Sequence, residues 1–265
     1  MNPNPTITRF QALALAAVIF FALTLMLPMT STARSSGKST VCLANLHILG
    51  RAWLAYAKDN DGRIVGGSTG STDAPYYSWV QWPDNSAAPE LQEKMRAITA
   101  GKLFAYVGTV QTYHCPSDPR YLLPSRDPGS YGFESGGFRS YSIVGGMKGV
   151  AEYGEWEIIP HVSTATLQNP AGKCVFIEEA DGRGENAGSW VLYPESHRWV
   201  DPFAIWHNQR STLGFADGRA EMHQWIDRST IDMSKNQTFY QSVYPTDSGI
   251  DLAYMIQAYP YVRLL

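Results

Sequence analysis

The sequence predicts an α+β protein in which one long N-terminal helix, apolar in its first half and amphipathic in its second, accompanies an antiparallel sheet. Three observations carry this. No charged side chain stands between Arg9 and Arg34, and the run from Phe10 to Met29 is apolar apart from Gln11, Thr24 and Pro28. Beyond it, apolar side chains return at Cys42, Leu46, Leu49, Trp53 and Tyr56, spacings that place them on one helical stripe. Near the other end, Asp217-Gly218 stands between two strand-like runs, residues 211–216 and 220–225. Both turn residues tolerate the positive φ that a tight hairpin uses.

Taken in order, the first element is an export segment. Twenty residues of helix cover about 30 Å, the thickness of a bilayer's hydrocarbon core. Arg9 lies on the short side, which the positive-inside rule assigns to the cytoplasm, leaving the rest of the chain outside. Ser31-Thr32-Ala33 offers the alternative of a cleavable signal, although the apolar run exceeds the usual h-region of roughly 7–15 residues. Either route exports the domain. The expected division is residues 1–36 as anchor or signal and residues 37–265 as an extracytoplasmic domain.

Residues 31–40 form a polar hinge, and the amphipathic helix follows, with Asn45, Arg51 and Lys58 off its apolar stripe. Asn60-Asp61-Gly62 supplies its C-cap, with Gly62 able to turn left-handed. The same residues are no calcium loop, because Ala57 stands where the first ligand is needed. Residues 173–178 read as a strand after the breaker Asn169-Pro170-Ala171-Gly172. The hairpin around Asp217-Gly218 comes next, then a short helix over 248–258 that Pro260 ends, and an apolar tail that packs on the domain.

Composition narrows the function. Charged residues make up 17% of the chain and the formal net charge is −3, which provides no basic field for nucleic acid and no disordered acidic tail. No G-x-S-x-G elbow, P-loop or H-E-x-x-H helix is present, and no catalytic residue is assigned. Glu178 and Glu179 point to opposite faces of a strand and cannot share a substrate. Aromatic residues at Tyr131, Phe133 and Phe138 lie in or beside the Gly-rich stretch 129–137, and Tyr76, Tyr77, Trp79 and Trp82 lie close together; such loops either bind glycan or protein or simply pack on a β-rich domain.

The motifs resemble a known family. Cys42-Leu43-Ala44-Asn45-Leu46, then Tyr56 and Asp59-Asn60-Asp61-Gly62-Arg63, resemble the C-x-x-N-L … Y … D-N-x-G start of pilin-like proteins with a prepilin-type N-terminus. The run from Gly101 to Gly108, leading to Tyr113-His114-Cys115-Pro116-Ser117-Asp118, is similar to their G-x-L-x-x-Y-V … C-P-S-D stretch. His207 precedes Asp217-Gly218 by nine residues, the spacing of the H-X9-DG prepilin-processing-associated family. The matches run in family order from about residue 40 to residue 226. The departure is at the start, where Gln11 stands in place of the family's glutamate and Thr6-Ile7 in place of its Gly-Phe cleavage site.

The resemblance implies that the amphipathic half of the helix packs against the antiparallel sheet. It also implies a bacterial cell-envelope location, with a single-pass inner-membrane anchor through Phe10 to Met29 and the domain in the periplasm or outside. The implied partners are other copies or other pilin-like subunits. Of the three cysteines, Cys42 and Cys115 fall in family motifs and Cys174 does not; a Cys42–Cys115 bridge, a Cys115–Cys174 bridge and buried free thiols all remain open. His207 either bonds a nearby backbone carbonyl or meets Asp217 across the sheet. Glu178, Glu179 and Asp181, with His207 and Asp217, make a candidate cation set whose oxygen ligands suit calcium. The expected function is a structural, pilin-like or pseudopilin-like subunit of a type II secretion or type IV pilus-like assembly, not an enzyme. The alternative is an anchored or secreted recognition module working through the aromatic loops.

Overall fold

The computed structural model describes residues 8–70, 77–84, 90–148, 158–159, 161–238 and 242–263; for residues 22–34, 158 and 263 only the backbone is described. The chain forms two compact units, Met1–Lys38 and Ser39–Leu265. Helix α1 runs over Arg9–Asp59. Residues 35–40 are helical, so that part of the expected hinge is no break. Serine, threonine and lysine side chains leave the backbone ladder intact, and no proline stands among these residues.

In the first unit, Phe10, Leu13, Leu15, Val18, Ile19 and Phe20 are each at least half exposed. Among the described residues no helix is long and apolar enough to cross a membrane. This corrects the expected membrane half of the helix, from Phe10 to Met29, and the single-pass anchor built on it. The side chains of Pro28 and of Ser31-Thr32-Ala33 lie outside the described residues, as do Thr6 and Ile7.

In the second unit, the α1 stripe behaves as its period requires: Cys42, Leu46, Leu49, Trp53 and Tyr56 are all buried. The helix stops where the C-cap chemistry stands. Gly62 has φ +80° and its N–H returns 2.8 Å to the Ala57 carbonyl, an arrangement glycine adopts without Cβ strain.

A four-stranded antiparallel sheet lies within the same unit. Its strands are β1 (Tyr141–Ile143), β3 (Cys174–Glu178), β6 (Arg210–Phe215) and β7 (Ala220–Gln224), in spatial order β1-β3-β6-β7. Two short ladders flank it, β2 (Ile158–Ile159) with β8 (Val262–Arg263) and β4 (Leu192–Tyr193) with β5 (Arg198–Trp199). Helices α2 (Glu90–Thr99), α3 (Phe104–Val107), α4 (Pro128–Tyr131), α5 (Arg228–Asn236) and α6 (Ile250–Ala258) complete the unit. All five residues of β3 are buried, as suits a strand covered on both faces.

The β6–β7 hairpin differs in detail from the two-residue turn expected. Phe215 and Arg219 close it, with Phe215 N–H donating to Arg219 O at 2.9 Å, so Ala216, Asp217 and Gly218 form the loop. Of these only Gly218 has positive φ, +86°. A three-residue loop ending in a left-handed glycine is the next commonest hairpin, and it spares Asp217 the strained conformation.

Helix and sheet approach closely because glycines line the contact. A Cβ on Gly214 would lie 3.8 Å from Leu46 Cβ, and one on Gly50 would lie 3.2 Å from Gly218 Cα. The Asp-Gly turn is thus a seat for α1 as well as a hairpin. Behind the sheet, aromatic rings fill the core, with Phe203 5.2 Å from Trp199 and 4.5 Å from Trp225. Such edge and tilted contacts add about 0.5–1.5 kcal/mol per pair beyond burial.

Candidate functional site

The motif residues converge on one corner of the second unit. Cys42 and Asn45 lie three residues apart on α1 and so share a face. Cys42 is bridged to Cys115, with Cα atoms 5.4 Å apart. Asn45 Nδ2 donates to the His114 carbonyl at 3.0 Å and to Tyr141 Oη at 3.5 Å. Leu46 sits one turn on, packed in the core. The helix therefore grips the 114–115 segment twice, once covalently and once by a hydrogen bond.

That segment is a turn. Asp118 N–H donates to the Cys115 carbonyl at 2.8 Å, which places Pro116 at the second turn position, where its fixed φ is already correct. The Asp118 carboxylate is held by Arg120 Nε at 3.0 Å and Nη2 at 2.8 Å, and by Ser140 Oγ at 2.8 Å. Ser140 Oγ in turn accepts the Cys115 N–H at 2.9 Å. Cys115, Pro116 and Asp118 of the Cys-Pro-Ser-Asp motif each take part in fastening this turn.

His207 reaches the same corner from the loop before β6. Its Nε2 stands 3.0 Å from Glu178 Oε1 and 3.4 Å from Cys115 Sγ, and its Nδ1 stands 3.1 Å from Ser39 Oγ on α1. Glu178, fully buried, accepts the Thr212 N–H at 2.9 Å through Oε2. One potential metal-ligand atom from each of Cys42, Cys115, Glu178 and His207 lies within 4.8 Å of all the others.

The sequence-predicted cation set is divided by this geometry. His207 and Glu178 meet, as expected of members of one set. Asp217 does not join them: it sits beyond the far end of β6, where Arg219 Nε is 3.7 Å from its carboxylate. The six residues of β6 span about 20 Å, which is why the two ends of the H-X9-DG motif touch α1 at separate places. Glu179 follows Glu178 and points to the opposite face. Asp181 binds Arg183, with Nε at 3.0 Å from Oδ1 and Nη2 at 2.5 Å from Oδ2. The five residues expected to hold calcium therefore form no single site. Cys174, the third cysteine, is a buried free thiol, and burial raises its pKa far above the ordinary range, which makes it an unreactive core residue.

What the residue patterns did not reveal is a second buried cluster beside this corner. Arg120, Arg139, Asp181, Glu185, Asn186 and Asp201 are each at most a tenth exposed. Arg139 Nη1 donates to Tyr141 O at 2.6 Å and Ser142 Oγ at 2.9 Å. Burial pushes the Glu179 carboxyl up to about 7, with the Asp181 charge adding to it and Arg139 and Arg183 opposing.

Asp201 carries the pH consequence. Burial first, then the charges of Glu179 and Asp181, hold its pKa well above the usual 3.8, against the Val191 N–H and Arg183. Its Oδ1 has no hydrogen-bond partner among the described residues. The folded chain thus keeps a proton that the unfolded chain has lost. The stability that this group contributes is fully present below pH 3.8 and falls as pH rises toward the raised folded value, by up to about 1.4 kcal/mol per pH unit. Asp201→Asn supplies a permanently neutral group. Its melting temperature should exceed the wild type's at pH 8 and match it near pH 4; parallel profiles would contradict this assignment.

Of the aromatic loop residues, three turn fully inward. Phe133, Phe138 and Trp79 are buried, and Trp82 packs on Tyr131 and Phe133 with ring centroids at 4.7 and 5.8 Å. Tyr131 stacks beneath the Arg183 guanidinium at 4.5 Å. Tyr77 is exposed, and Tyr76 lies outside the described residues. No protein-family model, curated protein or solved structure matches this chain.

Proposed function

We propose that this chain is a pilin-like structural subunit of a bacterial envelope assembly, whose N-terminal helical segment packs against the same segment of other copies. The observation that carries the reading is the exposed apolar surface of α1 in the first unit. Phe10, Leu13, Leu15, Val18, Ile19 and Phe20 are 50–81% exposed. At 100° per residue they point to every side of the helix rather than to one stripe. A helix apolar all round has to be covered all round, and a bundle of like helices does that.

The ordered family motifs support the same reading, because they act as fasteners. Cys42, Asn45, Cys115 and His207 fix one end of the second unit's α1 segment, and Gly50 rests on Gly218 eleven residues beyond Ser39. Such a domain holds a helix rigidly and leaves the segment before Ser39 for assembly. Trp79, Phe133 and Phe138, buried in the second unit, offer no contact surface to a recognition module.

Sedimentation of the full-length chain in mild detergent tests this. The wild type should sediment as an oligomer. Leu13→Asp/Phe20→Asp should sediment as a monomer with the wild-type melting transition of the second unit. A wild type that is monomeric at every concentration, or a double variant that still assembles, would overturn the proposal.

A further inference from the structure

The corner that holds the bridge contains more than a bridge requires. A disulfide is neutral and needs no polar company, yet a buried imidazole stands 3.4 Å from Cys115 Sγ and a fully buried carboxylate, 3.0 Å from that imidazole, lies within 4.8 Å of the sulfurs. Burying a carboxylate costs free energy unless it is paired, hydrogen-bonded or metal-bound. Two sulfurs, one imidazole nitrogen and one carboxylate oxygen form a donor set that matches the tetrahedral preference of zinc.

We propose that the dithiol form of this chain binds one zinc ion through Cys42 Sγ, Cys115 Sγ, His207 Nε2 and Glu178 Oε1. The four donors come from α1, the Cys-Pro turn, the loop before β6 and the end of β3, and they already lie within 4.8 Å of one another. Bonds of about 2.0–2.3 Å to a central zinc require donor separations of roughly 3.3–3.8 Å, so small side-chain movements complete the site. All four residues are at most 3% exposed, which suits a closed structural site rather than one with an open position for substrate.

The outer partners are also in place. Metal-bound histidine almost always engages its other ring nitrogen, and ligating carboxylates are themselves hydrogen-bonded. Here His207 Nδ1 faces Ser39 Oγ at 3.1 Å, and Glu178 Oε2 accepts the Thr212 N–H at 2.9 Å. The Ser117 N–H points at Cys115 Sγ from 3.4 Å, a contact that stabilises a thiolate.

The bridged and zinc-bound forms exclude each other. Reduction by a dithiol breaks the Cys42–Cys115 bond; the reductant supplies two electrons and two protons and leaves as its own disulfide. The two thiols then release their protons as zinc binds. The corner is fastened in both states, by a covalent bond in an oxidising compartment and by a metal before the bridge forms or after it is reduced.

The test uses the full chain, reduced with a non-chelating phosphine and titrated with cobalt(II) as an optical substitute for zinc. The expected result is one cobalt per chain, with sulfur-to-cobalt charge-transfer absorption that one equivalent of zinc abolishes. The bridged chain should show neither. Glu178→Gln and the milder Ser39→Ala should each weaken binding by about 10–100-fold or more, while Cys174→Ser should leave it unchanged. A reduced chain that retains the wild-type circular dichroism and shows no thiolate–cobalt band would overturn the proposal. So would a band that survives Glu178→Gln and Ser39→Ala at full affinity, or one that disappears with Cys174→Ser.

Discussion

Replacing Cys42 with serine should lower the free energy of unfolding by about 4 kcal/mol, the loss expected on the chain-entropy account for a closed loop of 73 residues. The bridge acts on the unfolded chain, which explores far fewer conformations while Cys42 and Cys115 are joined. Urea denaturation of the oxidised full-length protein and of Cys42→Ser measures the difference as a shift in midpoint. The variant's m-value should also rise, because its unfolded ensemble is more open. Reduced wild type in the presence of a metal chelator should behave like the variant. Adding zinc should then restore part of the loss, by RT ln(1 + [Zn]/Kd). Equal midpoints for oxidised wild type and Cys42→Ser would mean that the bridge does not constrain the unfolded chain.

The same corner shows how far the sequence alone reaches. The stripe from Cys42 to Tyr56 is legible because a helix repeats every 3.6 residues and the buried face must be apolar. The strand at residues 173–178 and the hairpin at Asp217-Gly218 are legible because breakers and turn residues bound them. Local periodicity does not say which distant residues meet. His207 lies 29 residues from Glu178 and 92 from Cys115, and no spacing rule links them. The H-X9-DG spacing pairs His207 with Asp217, but the length of β6 holds these two ends of the motif apart, and only shared chemistry links His207 to Glu178. The sequence showed the glycine of the motif as a turn residue, but its second task, making room for Gly50 of α1, depends on packing alone.

The apolar N-terminal run illustrates a different limit. Hydropathy along residues 10–29 predicts a membrane span, whereas among the described residues no helix is long and apolar enough to cross a membrane. What the side chains of Phe10, Leu13, Leu15, Val18, Ile19 and Phe20 do display is apolar surface in every direction.

Least legible of all was the buried guanidinium network, because arginine in a sequence normally reads as surface. Arg120 is 6% exposed and engages Asp118 through both carboxylate oxygens, Asn186 Oδ1 at 2.7 Å, and the carbonyls of Asp181 and Arg139 at 3.2 and 2.9 Å. Arg120→Met is therefore expected to cost about 3–5 kcal/mol, because it leaves a buried carboxylate at Asp118 without its counter-ion. Arg120→Lys keeps the charge but not the planar fork, so it should recover only part of the loss. In Asp118→Asn/Arg120→Met the unpaired charge is gone, and the double variant should be more stable than Arg120→Met alone. Urea midpoints of wild type, Asp118→Asn, Arg120→Met and the double variant give the coupling directly. Asp118 also anchors the turn that presents Cys115, so Arg120→Met should speed reduction of the bridge by an added dithiol, whereas exposed Arg228→Met should not. If Arg120→Met unfolds at the wild-type midpoint and its bridge is reduced no faster, the buried network does not hold the corner in place, and the α1 contacts of Cys42 and Asn45 must hold it alone.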